Sequence, residues 1–409
     1  MSDHLIVLAG NYWDGLAEKP LGYAEIVICD GKIVQIGKTV ERPDTAKIID
    51  LTNEFVMPGF IDCHVHLTSN SRIIANIIGA SAAAFTLAGV DACKKLLANG
   101  FTTVRDAADF SYNSWVVPDL KRAVADGSIA GPRIVCGGHM LSAVGGHMDF
   151  GAMVNSHADL KQINVAEGVD NVRRLVHQEV LRGADWIKFA GSGGFGSPSD
   201  GPEDIGYSQI EMNAIVAAAR DMGKAVFVHA YGDEAVRRAA VAGVRSVEHA
   251  NLASKETLEL LAVKGIYIVP TQYPIVAGIR DIDNDARWPN PVVRAKGRFY
   301  RDRILECARN VAASNAKIAF GTDIGTFDFT INGAVEFSEM VNNGFTPLRA
   351  LRAATSVAAE LLQLNDCGCI AVGKCADMVA MPGNPFEKIS VTEAVDFVMK
   401  AGVIYRQRQ

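Results

Sequence analysis

The chain has 409 residues, 49% of them hydrophobic and 21% charged, with a formal net charge of −6. These proportions supply a large core and exclude disorder, while an acidic balance without a basic stripe argues against a nucleic-acid partner. The longest early apolar run, Leu5 to Gly10, is too short for a signal-peptide core or a membrane span.

Short apolar runs punctuated by turn residues open the chain: Ile6 to Leu8, Glu25 to Ile28, Lys32 to Ile36 and Lys47 to Asp50. Asp30-Gly31 between the second and third is a hairpin signal. The same texture returns at Asp377 to Met381, Val395 to Met399 and Val403 to Tyr405. Neither terminal piece can bury a core alone. Residues 1–57 and 365–409 are therefore expected to combine into one small β-sandwich around a continuous central domain, 58–364.

Within that central stretch strands and helices alternate, the pattern of a parallel α/β fold. Eight strands are predicted: Phe60 to His66, Thr102 to Asp106, Arg133 to Cys136, Trp186 to Ala190, Ala225 to His229, Ser246 to His249, Tyr267 to Pro270 and Ile318 to Gly321. Between them, Ile210, Ala214, Ala218 and Met222 read as a core-facing helical stripe, as do Leu348, Leu351, Ala358 and Leu361 later. Eight βα units imply a (β/α)8 TIM barrel, whose chemistry lies at the C-terminal strand ends. A doubly wound sheet is the alternative, but no Gly-x-Gly-x-x-Gly follows the first strand.

Metal-type residues fall where those strands end. Side chains two apart on a strand point the same way, so Asp62, His64 and His66 should share one face, with Cys63 and Val65 on the other. Two imidazoles on one strand end can grip one cation. Lys188 sits among apolar residues in Trp186-Ile187-Lys188-Phe189-Ala190, where burial lowers an amine's pKa. Such a lysine can react with carbon dioxide to give a carbamate, an anion able to bridge two cations. It could also snorkel to the strand end or form Schiff bases. His229 and His249 each end an apolar strand and can supply nitrogens to a second cation. Asp323, in Gly321-Thr322-Asp323, can bind metal and carry a proton from the attacking water to a leaving nitrogen.

Eight cysteines are scattered without paired spacing, which fits reduced thiols in a cytoplasmic protein better than a disulfide framework. Cys367-Gly368-Cys369 invites a metal or redox reading, but without a nearby histidine or second cysteine pair it reads as a surface turn.

Taken together, the chain resembles the amidohydrolase superfamily over essentially its whole length, and within it the Xaa-Pro dipeptidase and arginine/lysine carboxypeptidase group. The shared phrases are Pro58-Gly59-Phe60-Ile61-Asp62-Cys63-His64-Val65-His66, Gly100-Phe101-Thr102-Thr103-Val104-Arg105-Asp106, Gly131-Pro132-Arg133, Gly145-Gly146-His147 and Gly321-Thr322-Asp323. The resemblance implies one metal on His64 and His66, another on His229 and His249, a carboxylated Lys188 (N6-carboxylysine) between them, and Asp323 completing the site. Zinc suits these ligands, though manganese, cobalt or iron fit comparable geometry.

His147 and Tyr231 are the candidate donors to a tetrahedral oxyanion, at positions that contact substrate in the dipeptidase relatives. Tyr231 is nearer the proline-type dipeptidases, since relatives with arginine/lysine preference tend to carry histidine there. The segments Met148 to Gly168 and Thr271 to Tyr300 are individual to this chain, and such βα loops set specificity. The expected activity is hydrolysis of an amide that releases a C-terminal amino acid, from dipeptides or N-acyl amino acids such as ochratoxin. A hydrolase of xenobiotic carbamates or aryl ureas, and a non-catalytic scaffold relative, are the alternatives. The partner is a small-molecule amide or dipeptide, with neither nucleic acid nor membrane, and the resemblance implies a homo-oligomer.

Overall fold

A computed structural model describes residues 4–407 apart from 44, 76, 78, 154–161, 198, 286 and 287. Part of the 148–168 segment therefore lies outside the described residues. Seven strands from the two ends of the chain form one mostly antiparallel sheet. They are β1 (Leu5–Tyr12), β2 (Gly22–Cys29), β3 (Lys32–Gly37), β4 (Lys47–Pro58), β14 (Met378–Met381), β15 (Phe397–Lys400) and β16 (Val403–Gln407). Their order is β16-β15-β14-β4-β1-β2-β3, and only β1 and β4 run parallel. Asp30 and Gly31 both take positive φ in the two-residue loop between β2 and β3, the combination a tight hairpin requires. One sheet face buries Val7, Ile26, Ile28, Ile49, Val56, Met378 and Phe397 as a single apolar cluster.

The α/β barrel follows directly from β4. Its strands are β5 (Phe60–Val65), β6 (Phe101–Asp106), β7 (Arg133–Cys136), a short β8 (Met140–Leu141), β9 (Trp186–Ala190), β10 (Ala225–Gly232), β11 (Ser246–Leu252), β12 (Tyr267–Val269) and β13 (Lys317–Ile318). Every pairing among them is parallel. The seam between the last strand and the first is closed by backbone bonds, from Cys63 N to Phe320 O at 2.8 Å and from Asp323 N to the His64 carbonyl at 2.7 Å. Inside, Ile61, Cys63, Trp186, Phe227, Tyr267 and Val269 fill the barrel, with Ala358 and Leu361 of the helix Ser356–Leu362 packed against them.

Two expectations are corrected here. In the helix Gln209–Asp221, Ile210 is 69% exposed and Met222 is also exposed, while Met212, Ile215, Ala218 and Ala219 are buried. A strict four-residue spacing drifts around a 3.6-residue helix, so the ends of that stripe cannot share a face. A capping box between Ser208 and Glu211 sets where this helix starts. The second correction concerns β5. The register against β6 shifts between Asp62 and Val65, and this bulge breaks simple alternation. Cys63 consequently lies in the barrel interior rather than the outer layer. Asp62 turns away from the histidines and accepts from Thr322 Oγ1 at 2.7 Å and from the His64 N–H at 3.0 Å.

Candidate metal centre and active site

Four histidines, one lysine and one aspartate converge at the C-terminal ends of β5, β9, β10 and β11 and the segment after β13. His64, His249 and Asp323 each offer a ligand atom within 4.8 Å of the others. Asp323 Oδ1 lies 3.1 Å from His66 Nε2 and 3.4 Å from His64 Nε2. The rings of His229 and His249 are 4.7 Å apart, and those of His64 and His249 5.0 Å. All are buried. The backbone at His249, Ala250, Thr271 and Asp323 has positive φ, a conformation costly for non-glycine residues and concentrated where strand ends must aim side chains.

Each imidazole has one nitrogen engaged from outside and the other left facing the cluster. His64 Nδ1 sits 2.7 Å from Glu248 Oε2, His66 Nδ1 3.3 Å from the Ala108 carbonyl, His249 Nδ1 2.7 Å from Thr271 Oγ1, and His229 Nε2 3.3 Å from the Gly193 carbonyl. Those contacts leave Nε2 of His64, His66 and His249 and Nδ1 of His229 toward the cluster, where a cation would take them. Burial pushes the His64 and His229 imidazoles well below their ordinary pKa and His249 down to about 3, with Lys188 adding to the shift on all three. Neutral imidazole is the ligand form. Burial alone would raise the Asp323 carboxyl, but His64, His66 and His249 around it hold it well below the usual range.

Lys188 is fully buried, and its Nζ has no hydrogen-bond partner among the described residues. It lies 4.6 Å from the centre of the Phe227 ring. Burial pushes the amine down to about 7, so a neutral, nucleophilic form is accessible near neutrality. An orphaned buried amine is costly. Its carbamate would replace that orphan with oxygens facing neutral imidazoles, so the residues present fit a pair of divalent cations bridged by a carboxylated lysine.

Behind this cluster lies a buried charge network that sequence patterning did not single out. Arg105 is fully buried and donates to the Cys63 carbonyl at 2.8 Å, to Ser246 Oγ at 3.3 Å and to Glu248 Oε1 at 2.9 Å. Its guanidinium stacks 4.0 Å from the centre of the Phe227 ring. Glu248 thus spans Arg105 and His64 and fixes the orientation of the His64 ring. Its neighbour His249 reaches the same centre because positive φ at His249 departs from strand alternation. The only sequence hint was a pair of opposite charges, Arg105 and Glu248, on two of the barrel strands.

The two candidate substrate donors flank the second pair of histidines. The His147 ring stacks on His229 at 4.2 Å and 12°, and Tyr231 stacks on His249 at 4.7 Å and 13°. His147 Nδ1 lies 3.0 Å from Asp200 Oδ2, which leaves Nε2 as the nitrogen available to a substrate. Tyr231 also packs edge-on against Phe195. The loop 193–201 behind His147 is held by Lys296, whose Nζ donates to the carbonyls of Gly194 at 3.0 Å, Ser197 at 2.6 Å and Asp200. A Cβ at position 194 would lie 2.5 Å from His147 Cε1, so only glycine lets this loop approach the ring.

Known proteins provide independent context. The amidohydrolase family profile matches residues 55–405. The chain is 30% identical to ochratoxinase of Aspergillus niger over 98% of its own length and 86% of that protein. Among solved structures, a Xaa-Pro dipeptidase with methionine bound in its active site superposes with a TM-score of 0.90 at 33% identity, covering 99% of this chain and 100% of the other. A prolidase complexed with N-methylphosphonate-L-proline superposes with a TM-score of 0.87 at 31% identity, covering 99% and 100%.

Proposed function

The chain belongs to the amidohydrolase family and is a hydrolase acting on C–N bonds, and from that premise we propose that it is a binuclear-metal enzyme releasing a C-terminal amino acid from dipeptides or N-acyl amino acids. The observation that carries this reading is the convergence of His64, His66, His229, His249 and Asp323 around an unpartnered, buried Lys188. Ochratoxin-like amides fall within the proposed class. In support, a methionine and a proline-bearing phosphonate occupy two similar enzymes, so an amino-acid moiety is a fitting leaving group.

His64 and His66 would hold one cation, His229 and His249 the other, with carboxylated Lys188 between them and Asp323 alongside. Zinc is the proposed metal. Cations held there would supply Lewis acidity, the property that lowers the pKa of water and polarises a carbonyl. Asp323, kept ionised by the imidazoles around it, accepts the proton of the attacking water and returns it to the leaving nitrogen. His147 Nε2 and the Tyr231 hydroxyl donate to the oxygen that gains charge in the tetrahedral state. The stacking of both rings on metal-site histidines limits their motion, so the donors are in place before the charge develops.

The test is a side-by-side assay of Xaa-Pro and other dipeptides, N-acyl amino acids and phenylureas, with His64→Asn, His229→Asn and Asp323→Asn as controls. Turnover confined to substrates that release a free amino acid, and lost in all three folded variants, is the expected result. Turnover of phenylureas alone would move the enzyme to the carbamate and urea class.

A further inference from the structure

Segment 366–377 joins the helix Ser356–Leu362 to β14, and its cysteines do not behave as the surface turn that sequence suggests. Cys367, Cys369 and Cys375 are all buried. The sulfurs of Cys367 and Cys375 and an oxygen of Asp366 lie within 4.8 Å of one another. Asp366 bridges the two thiols: Cys367 Sγ is 3.4 Å from Oδ1, and Cys375 Sγ is 3.3 Å from Oδ2.

Two cationic side chains face the same spot. Lys32 Nζ, from β3, lies 3.2 Å from Cys375 Sγ and 2.9 Å from Asp366 Oδ2. Arg133, at the start of β7, places guanidinium Nη2 3.8 Å from Cys375 Sγ while Nη1 donates to Asp377 Oδ2 at 2.9 Å. A divalent cation would have to displace the Lys32 ammonium, so these donors are poorly suited to metal. Burial and the Asp366 carboxylate raise both thiols, while Arg133 beside both sulfurs and Lys32 beside Cys375 oppose that rise. A groove of about 620 Å³ opens beside the pair, and Leu16, Ser356, Leu364, Cys367 and Cys369 line part of it. Arg245, which precedes β11, lines it too, so the groove sits at the N-terminal ends of the barrel strands, opposite the metal centre.

We propose that Cys367 and Cys375 form a redox-active dithiol site that exchanges with low-molecular-weight disulfides entering through this groove. The groove-lining Cys367 thiolate attacks one sulfur of the small disulfide and expels the other as a thiolate, leaving a mixed disulfide. Cys375, beside Lys32 and Arg133, then attacks Cys367 Sγ and expels the second small thiolate. Both protein protons end on the released thiols, so the small disulfide is reduced to two thiols as the protein dithiol is oxidised. Bridging requires the sulfurs to close to about 2.05 Å, and Gly368 and Gly373, both at positive φ, lie in the segment that joins the two cysteines.

The experiment titrates the full-length reduced protein with oxidised glutathione, followed by alkylation of remaining thiols and peptide mapping. Of the eight cysteines, two should be lost together in a linked peptide joining 367 to 375, reversibly with dithiothreitol. Cys369→Ser should leave that link intact. Cys375→Ser should instead trap a glutathione adduct on Cys367. Retention of both thiols at excess oxidant, a 367–369 link, or modification confined to the less buried Cys29 would each overturn the assignment.

Discussion

Glu248 Oε2 lies 2.7 Å from His64 Nδ1, while its other oxygen takes the Arg105 guanidinium at 2.9 Å. One buried carboxylate thereby orients the imidazole proposed to hold a metal and neutralises a cation in the barrel interior. Groups in that position are known to tune metal affinity by about 10–100-fold through the ring they hold.

Glu248→Gln should therefore weaken metal binding by about 10–100-fold without removing any ligand. Competition with a chelator of known affinity measures this directly. The same variant should melt at lower temperature, because Arg105 loses its charged partner in a dry site. Unchanged metal affinity would show that Glu248 serves the barrel core alone.

Asp200 acts through His147. Asp200→Asn should lower kcat by about 10-fold, a smaller effect than His147→Ala, for which loss of an oxyanion donor predicts about 10²–10³-fold. Metal content should stay at the wild-type level in both. If His147→Ala loses metal in proportion to activity, its stacking on His229 rather than substrate contact is what matters.

Position 194 offers a steric version of the same test. In Gly194→Ala the new methyl meets the His147 ring, which must rotate or push the 193–201 loop from Lys296. Activity should fall with metal retained, and trimming the ring in Gly194→Ala/His147→Ala should add little further loss. Full activity in Gly194→Ala would place the ring elsewhere during turnover.

Much of this architecture was legible in the chain. Asp30-Gly31 marked its hairpin, the eight strand runs marked the barrel, and the residues ending β5, β9, β10 and β11 proved to be neighbours. What sequence could not give is partnership across the barrel. Glu248 and His64 are 184 positions apart, as are Asp200 and His147 by 53, and neither acid has a local pattern that separates it from a solvated one. Asp62 and Cys63 were misjudged because a bulge defeats period-two reasoning. Ile210 and Met222 failed for the parallel reason in a helix.

His139 gives a pH-dependent stability. Burial alone would depress its imidazole, but Glu179, 3.0 Å away, raises it to about 9. Because the folded value exceeds the unfolded one of about 6.5, its contribution is complete below that pH and disappears as pH rises through about 9. Tm should fall by a few °C between about pH 7 and pH 9.5, and His139→Gln should flatten this slope. An unchanged slope in the variant would assign the loss to other groups.

In the proposed site Lys188 carries a carbamate between two cations. Protein loaded with metal in the presence of 13C-bicarbonate should bind about two equivalents of divalent metal per chain and show one carbamate carbon resonance, absent in Lys188→Ala. An active, metal-loaded enzyme with no carbamate resonance, or with a single metal, would contradict the account.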